Sequence, residues 1–383
     1  MPLLPVESLP ALRRRRSAKW STFDDDVLPL PVAEMDFALA EPVAAALTSA
    51  VQRSDTGYVP PHSELPHALS GFADRRWGWR IDPGQVALAP DVGVGVVEML
   101  RLLVPPGDPV GISSPVYAPF YDWLNEVGSR TVDVPLSRDG GGWRLDLEGL
   151  EGAFAAGLKA YVLCNPQNPV GLQHQQEDLE ILAELAHRYG VYIFSDEIHA
   201  PLVLPGSSFT PFLTVSEAAR MQGFSFVSAS KGWNLAGLKC AAVVTANGTN
   251  ADVVHRLPDA VQYRTGLFGV LASTAAFEHG EPWLDDLILT LDANRSLLAR
   301  LIKEQLPDVG YEPPQASYLV WLDFRRLDWG SDPAAHILEK ARVALGPGPR
   351  YGPAGEGHAR LNFGTSPDIL TEAIGRIAAA VGG

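Results

Sequence analysis

The sequence is poor in cysteine and has no long apolar run. Its two cysteines, Cys164 and Cys240, both lie in apolar segments that have the character of strands. Buried, unpaired thiols are more typical of a reducing compartment than of a disulfide-stabilised secreted protein. The apolar runs are far shorter than a bilayer requires, and the N-terminal charges follow the apolar residues, the reverse of a signal peptide. We therefore expect a cytoplasmic protein that does not enter a membrane.

Positive charge is also scarce. The chain has 30 Lys and Arg residues against 45 Asp and Glu residues, for a formal net charge of −15 at pH 7. The one basic run, residues 13–16, is soon followed by the acidic residues 24–26. Nucleic-acid binding requires clustered lysine and arginine, so we do not expect nucleic acid as a partner.

Helical and strand patterns alternate along the chain from about residue 40 to residue 245. The predicted strands in this region are QVALAP, DPVGIS, RTVDVPL, KAYVLCNP, VYIFSDE, FSFVSAS and KCAAVVT. Strands that alternate with helices indicate βαβ units, and hence an α/β fold with a doubly wound, mostly parallel sheet. Ligands bind to such sheets outside the carboxyl ends of the strands.

The pattern changes beyond about residue 280, where a long helix is followed by the predicted strand ASYLVWLDF and a mixture of helices and strands. This pattern of helices and strands predicts a smaller α+β domain. We expect an N-terminal arm (1–39) that packs on the small domain, a large domain (40–280) and the small domain itself (281–383).

Polar residues follow three of the predicted strands. Asn168 lies in CNPQNPVG, Asp196 follows it by 28 residues in SDEIH, and Lys231 comes 35 residues later in SASK. Lys231 alone would be an ordinary solvated charge at a strand end. Because the carboxyl ends of parallel strands meet at one edge of the sheet, the order of the three motifs predicts that they converge there.

Together, these motifs resemble those of the fold-type I pyridoxal-5′-phosphate enzymes, which form the aspartate aminotransferase superfamily. The resemblance covers most of the chain, from the segment VAEMDF to the segment RLNFGTS. The resemblance implies pyridoxal 5′-phosphate as cofactor, with Lys231 as the residue that carries it and then moves the Cα proton of the substrate. Asp196 would keep the pyridine nitrogen protonated, and Asn168 would donate to the phenolic oxygen. His199 stands where relatives often have a tyrosine, although a structural role for this histidine is an alternative.

The resemblance also implies a phosphate site at the start of the helix that follows PDVGVGV. Backbone N–H groups at a helix start and nearby hydroxyl groups suit a phosphate. The implied contacts are Val92, Gly93, Ser228, Ser230 and Lys239, the last at a position where many relatives have arginine. Lysine lacks the bidentate fork of arginine. Asp91 in the same turn is unexpected beside a phosphate.

Four further residues match positions that contact the substrate or the cofactor in enzymes of this superfamily. Tyr117 would stack on the cofactor ring, and Arg360 would bind the substrate α-carboxylate, beside Ala33 of VAEMDF. Tyr58 matches a tyrosine that reaches the neighbouring subunit's phosphate, which implies a homodimer with shared sites. The alternative for Tyr117 is an aromatic residue of the core, and the alternative for Arg360 is an arginine on the surface.

The segments SAKWSTFDDDVLPLPVAEMDF, SKGWNLAGLK and GEGHARLNFGTS resemble the cystathionine β-lyase-like C–S lyases within this superfamily. The resemblance implies cleavage of L-cystathionine or related cysteine S-conjugates to pyruvate, ammonia and a thiol. Transamination is the alternative because it uses the same residues. A more remote alternative is a non-catalytic sensor with the same fold. The acidic composition disfavours it, as does the position of the enzyme arm at the start of the sequence.

The chain departs from the usual lyase pattern at three places, namely Val59-Pro60, Gln167 and Gly232-Trp233. We expect these positions to border the substrate side of the site. The sequence therefore does not identify the group that the substrate carries on its sulfur.

Overall fold

The computed structural model describes residues 4–60, 62–139 and 142–381. The strands in chain order are β1 (Leu28–Pro29), β2 (Val86–Ala89), β3 (Pro109–Ile112), β4 (Arg130–Asp133), β5 (Ser137–Asp139), β6 (Gly142–Arg144), β7 (Ala160–Cys164), β8 (Tyr192–Asp196), β9 (Gly223–Val227), β10 (Ala241–Val244), β11 (Gly310–Tyr311), β12 (Leu319–Asp323), β13 (Val343–Ala344), β14 (Gly346–Pro347) and β15 (His358–Asn362).

The helices between and around these strands range from single turns to one of 25 residues. They are α1 (Leu9–Leu12), α2 (Ala18–Ser21), α3 (Glu41–Gln52), α4 (Leu65–Trp77), α5 (Val92–Leu103), α6 (Pro119–Glu126), α7 (Leu147–Ala155), α8 (Gln176–Tyr189), α9 (Glu217–Gln222), α10 (Ala229–Gly232), α11 (Gly248–Val254), α12 (Asp259–Tyr263), α13 (Leu267–His279), α14 (Glu281–Gln305), α15 (Pro333–Ala341) and α16 (Pro367–Val381). None of the helices in the described part of the chain combines the length and apolar character that a bilayer span requires.

The large sheet has the strand order β2-β10-β9-β8-β7-β3-β4. Strands β9, β8, β7, β3 and β4 are parallel, and β10 runs antiparallel to both β2 and β9. Each residue of β7 and β9 is buried, because helices cover both faces of a parallel sheet. The expected α/β fold with a doubly wound, mostly parallel sheet is confirmed.

Alternate side chains of the central strands enter two different cores. Phe194 of β8 packs in one core with the apolar faces of α5 and α6, while its neighbour Ile193 joins α7 and α8 in the other. The two-residue period of a strand produces this division, since successive side chains point to opposite faces.

A second sheet has the order β11-β12-β15-β14 and is antiparallel throughout. Strand β1 of the N-terminal arm pairs in parallel with β13, so the arm lies beside this part of the chain. The division into domains at residues 39 and 280 stays a prediction.

The arm is fixed by a buried ion pair. Lys19 Nζ lies 2.7 Å from Asp36 Oδ2, and the side chains of both residues are fully buried. Trp20 Nε1 donates to the other carboxylate oxygen of Asp36 over 2.7 Å. A buried charge is tolerated only when it is paired and hydrogen-bonded. This pairing fixes the fold of the arm, and Asn234 then holds the segment that contains Ala33 at the carboxyl edge of the large sheet, since its side chain bonds both the N–H and the carbonyl of Met35 over 2.9 Å.

Candidate active site

Two adjoining cavities lie at the carboxyl edge of the large sheet. The inner cavity, of about 340 Å³, is lined by the ends of the strands and by the start of α5. The outer cavity, of about 560 Å³, extends from it toward β14 and α15. The residues that line both cavities are Ala33, Tyr117, Pro119 and Lys231.

The three motifs converge as the sequence predicts, because Asn168, Asp196 and Lys231 all line the inner cavity. Asn168 follows β7, Asp196 ends β8 and Lys231 lies in the helix after β9, and the parallel register of these strands brings all three residues to one edge. The remaining predicted residues in the inner cavity wall are Ala33, Val92, Gly93, Tyr117, His199, Ser230 and Lys239.

Lys231 is held in α10, a short helix that begins after β9. Its Nζ donates a hydrogen bond to the Ala33 carbonyl over 2.9 Å. Burial, assisted by the positive charge of Arg360, lowers the pKa of Lys231 to about 8. A lysine with a lowered pKa is a usable nucleophile and base near neutral pH.

Ser228 has a structural role in this arrangement. Its Oγ accepts from the Ser230 backbone N–H over 3.1 Å and donates to the Cys240 carbonyl over 2.7 Å. Ser228 therefore caps α10. Its hydroxyl group does not line the inner cavity, whereas Ser230 does.

Asp196 is a buried carboxylate at the end of β8. Its Oδ1 accepts from the Ile198 backbone N–H over 3.1 Å. Burial raises the pKa of Asp196 to about 7, and the hydrogen bond from Ile198 and the positive charge of Lys231 only partly oppose this effect. Among the described residues, no cationic side chain forms an ion pair with Asp196, so the site offers a carboxylate that lacks a direct counterion.

Arg360 lies in β15 and is buried, so the surface alternative does not apply. One of its terminal nitrogens donates to Asn168 Oδ1 over 3.1 Å, and the other donates to the Pro31 carbonyl over 2.6 Å. Its Nε is buried without a partner in the described part of the chain. Unused donor capacity on a buried guanidinium suits a carboxylate ligand. Asn168, which lines the inner cavity, uses its oxygen on Arg360 and keeps its amide nitrogen as a donor.

The start of α5 forms the opposite end of the inner cavity. Asp91 caps this helix, since its Oδ1 accepts from the Val94 N–H over 2.8 Å. The first N–H groups of a helix have no intrahelical partner, so those of Val92 and Gly93 can bind an anion. Lys239 Nζ lies 3.0 Å from Asp91 Oδ2. The unexpected Asp91 is thus a helix cap and the ion-pair partner of Lys239.

Trp123 is a wall residue that motif reasoning missed. It lines the inner cavity, and a Cβ at Gly93 would lie only 2.7 Å from its indole ring. Tyr117 lies edge-on to Trp123, with ring centroids 5.9 Å apart. Burial raises the pKa of Tyr117 to about 12, which keeps its hydroxyl group protonated. Tyr117 therefore packs with aromatic neighbours and also forms part of both cavity walls.

His199 and Tyr318 flank the active-site lysine from another side. His199 Nδ1 lies 3.1 Å from Ser317 Oγ, and burial holds the pKa of His199 well below its usual value, so the ring is neutral. Tyr318, also missed from the sequence, donates to the Ala33 carbonyl over 2.9 Å. The carbonyl that accepts from Lys231 is therefore fixed by a second donor.

The two cysteines also line the inner cavity. Both are free thiols. Burial raises the pKa of Cys240 to about 12 and raises that of Cys164 still further above the ordinary range. The thiols are therefore protonated wall groups with no thiolate character.

Tyr58 lies away from both cavities of its own chain. Its side chain is 82% exposed and makes an edge-to-face contact with Tyr263, with ring centroids 6.1 Å apart. Within a single subunit, the structure does not bring Tyr58 to the other predicted site residues.

The expectation that the sequence departures border the substrate side is wrong for Gln167 and Trp233. Gln167 is buried and donates to the carbonyls of Ser113 and Pro115 over 2.9 and 3.0 Å. Trp233 is fully buried and donates to the Gly280 carbonyl over 3.1 Å. Both side chains support backbone outside the two cavities, which sequence order alone did not reveal.

The inner cavity fits pyridoxal 5′-phosphate. Lys231 supplies an amine, and the buried carboxylate of Asp196 lacks the positive partner that a protonated ring nitrogen would provide. The free N–H groups at the start of α5, with Ser230 and Lys239 beside them, would hold the phosphate. Each of these groups would meet a different part of the cofactor.

Comparison with known proteins gives the class to which this fold and site belong. A solved structure described as a "putative plp-dependent beta-cystathionase" from Corynebacterium diphtheriae superposes with a TM-score of 0.95 at 35% identity, covering 100% of both chains. The family described as Aminotransferase class I and II matches residues 25–377. The chain belongs to the class I and II aminotransferase family.

Relatives from two other bacteria carry lyase names. A Mycobacterium leprae protein named "Putative cystathionine beta-lyase" is 45% identical, with 98% of each chain covered. The Bacillus subtilis protein named "Cystathionine beta-lyase PatB" is 34% identical, with 96% of this chain and 97% of that protein covered. The predicted resemblance to the cystathionine β-lyase-like branch is confirmed.

Proposed function

We propose that this protein is a pyridoxal-5′-phosphate-dependent C–S β-lyase that cleaves L-cystathionine or related cysteine S-conjugates to pyruvate, ammonia and a thiol. The observation that carries the proposal is the full-length similarity to proteins named cystathionine β-lyase, at 45% and 34% identity. The arrangement of Lys231, Asp196 and Arg360 in one buried site supports it chemically.

The bound cofactor supplies an electron-accepting ring that stabilises negative charge at the substrate Cα. Asp196 holds the ring nitrogen in its protonated form, because a buried carboxylate favours a cation beside it. Arg360 binds the α-carboxylate through its unused donor capacity and so orients the Cα–H bond. Asn168 positions Arg360 through its oxygen, which leaves its amide nitrogen available as a donor to the cofactor.

Lys231 is the base that removes the Cα proton. Its lowered pKa leaves part of the amine unprotonated near neutral pH. After it accepts the proton, the resulting ammonium can donate to the Ala33 carbonyl, which lies 2.9 Å from Nζ. Tyr318 holds this carbonyl in place. The proton is thereby kept at Nζ, ready for return to the leaving sulfur.

Transamination is the second candidate, and the matching family description, Aminotransferase class I and II, is the observation that favours it. The two reactions differ in stoichiometry. Elimination would need no second substrate, whereas transamination would stop after one turnover until a keto acid is supplied. The test is to incubate the enzyme with excess L-cystathionine and no keto acid, and to measure pyruvate and thiol.

We also infer a cytoplasmic homodimer in which Tyr58 of one subunit completes the site of the other. Support for the shared site comes from the exposed rings of Tyr58 and Tyr263, which are 82% and 65% exposed in the isolated chain. Large exposed aromatic side chains are typical of interfaces. Support for the cytoplasm comes from the free thiols of Cys164 and Cys240.

A further inference from the structure

The outer cavity contains charged groups that the proposed reaction does not use. Its charged wall residues are Lys231, Arg360, Asp332 and Arg350. Lys231 and Arg360 act on the reacting end of the amino acid. Asp332 and Arg350 have no part in that chemistry, although they face the same space.

Burial orders these groups along the cavity. Arg360 is only 6% exposed and is tied to Asn168 of the inner cavity, so it marks the deep end. Arg350 is exposed to solvent and marks the outer end. Tyr351, the chain neighbour of Arg350, also lines the cavity and links the two ends, since its ring centroid lies 5.1 Å from the Arg360 guanidinium. A substrate whose α-carboxylate is held by Arg360 would extend its sulfur substituent toward Arg350.

Both outer groups have unused hydrogen-bonding capacity. In the part of the chain that the structure describes, Asp332 Oδ1 is buried with no hydrogen-bond partner, and this side chain makes no cap hydrogen bond at the start of α15. Among the described residues, Arg350 forms no ion pair, and the two groups do not pair with each other. A buried carboxylate oxygen without a donor is unfavourable, and a ligand that supplies the donor recovers that free energy.

We propose that Arg350 and Asp332 form a second recognition site, for an amino-acid head group at the distal end of the substrate. Arg350 binds the distal carboxylate, because a guanidinium can donate two parallel hydrogen bonds to it. Asp332 accepts from the distal ammonium. This inference rests on the proposed lyase function and narrows its substrate class to cysteine S-conjugates that end in a second amino-acid group, as L-cystathionine does.

The test compares L-cystathionine with S-ethyl-L-cysteine, which has the same reacting end but no distal head group. The variants are Arg350→Ala and Asp332→Asn, and the matched control is Arg326→Ala, an exposed arginine that lines neither cavity. Each outer variant should lower kcat/KM for L-cystathionine by about tenfold, mainly through KM, as expected for the loss of one hydrogen-bonded charge contact. The value for S-ethyl-L-cysteine should not change, and the control should change neither.

Two analogues of L-cystathionine separate the two contacts. The analogue without the distal carboxylate should be insensitive to Arg350→Ala, and the one without the distal amino group should be insensitive to Asp332→Asn. Equal losses on L-cystathionine and S-ethyl-L-cysteine would overturn the inference, as would no loss on either. If the wild-type enzyme releases pyruvate from neither compound, the proposed function itself fails and the inference fails with it.

Discussion

At the scale of single residues, the site depends on ionisable groups whose environment changes their chemistry. Burial lowers the pKa of Lys231 to about 8 and raises the pKa of Asp196 to about 7. A lysine that is partly neutral can remove a proton, and a carboxylate without a direct counterion can hold a cation. Pairs of groups with such opposed shifts are typical of active sites.

Asp196 should make the stability of the cofactor-free protein depend on pH. With its pKa raised to about 7, the folded protein retains a proton that the unfolded chain, with an ordinary value of about 4, releases. The contribution of Asp196 to stability is therefore fully present below about pH 4 and is lost as pH rises toward 7, by at most about 1.4 kcal/mol per pH unit.

The measurement compares the free energies of unfolding of the cofactor-free wild type and Asp196→Asn, which cannot titrate. The variant should gain stability relative to the wild type between about pH 5 and pH 7. Asp252→Asn, at an exposed position of α11, is the control and should show no such trend. A stability difference between Asp196→Asn and the wild type that stays constant across this range would show that the pKa of Asp196 is not raised.

Sequence reasoning at this scale found the residues that belong to motifs and missed those that do not. Lys231 and Asp196 could be predicted because Asp196 ends a buried strand and Lys231 closely follows another, in a recognisable order. Trp123 and Tyr318 belong to no motif, and their proximity to the site arises from packing between distant segments. The Ser228 hydroxyl group donates a hydrogen bond to the Cys240 carbonyl, and spacing along the chain does not reveal this contact.

At the scale of elements, the first turn of α5 positions both the free N–H groups and the wall of the inner cavity. Gly93 allows the indole of Trp123 to lie directly against this turn, since a Cβ would approach the ring to 2.7 Å. Gly152 of α7 is also helical, but a Cβ there meets nothing within 4 Å. The two glycines therefore form a matched pair.

Gly93→Ala should weaken cofactor binding, because Trp123 and the first turn of α5 must move apart. Gly152→Ala should leave binding unchanged and stabilise the protein by about 0.5–1 kcal/mol, the usual gain for replacing glycine within a helix. The measurements are the dissociation constant of the cofactor, by absorbance titration, and the free energy of unfolding. Equal cofactor affinity in the Gly93→Ala and wild-type proteins would contradict the role assigned to this turn.

The strands of the large sheet were predictable because both of their faces are buried, which gives apolar runs such as β7 and β9. The hairpin β5–β6 was not predicted, since its three-residue strands are too short to show a hydrophobic period. Helices α1 and α2 in the arm have only one turn each, so they are also too short to show a hydrophobic period. These elements depend on long-range contacts, such as the pairing of Lys19 with Asp36, more than on local propensity.

At the scale of the whole molecule, the isolated chain presents a site that lacks one predicted residue. Every predicted cofactor residue except Ser228 and Tyr58 lines the inner cavity. Ser228 supports that cavity from behind, but Tyr58 lies on the surface with its ring exposed. A second subunit would account for the exposed ring.

We predict that Tyr58 acts in the site of the partner subunit. Tyr58→Ala and Lys231→Ala variants, each inactive alone, should recover activity when mixed, because one hybrid site then contains both wild-type residues. The measurement is pyruvate release after subunit exchange, with exchange verified by mass spectrometry of differently labelled chains. Exchange without recovery would place Tyr58 outside any shared site. Mixing Lys231→Ala with Asp196→Asn is the control, and it should recover nothing, since both residues come from the same subunit.

The most direct test of the lyase function counts products per active site when L-cystathionine is supplied in excess and no keto acid is present. The account predicts many molecules of pyruvate for each Lys231, matched by equal amounts of ammonia and thiol, and none from the Lys231→Ala variant. A single turnover that stops until a keto acid is added would contradict the account and would show that the enzyme is an aminotransferase.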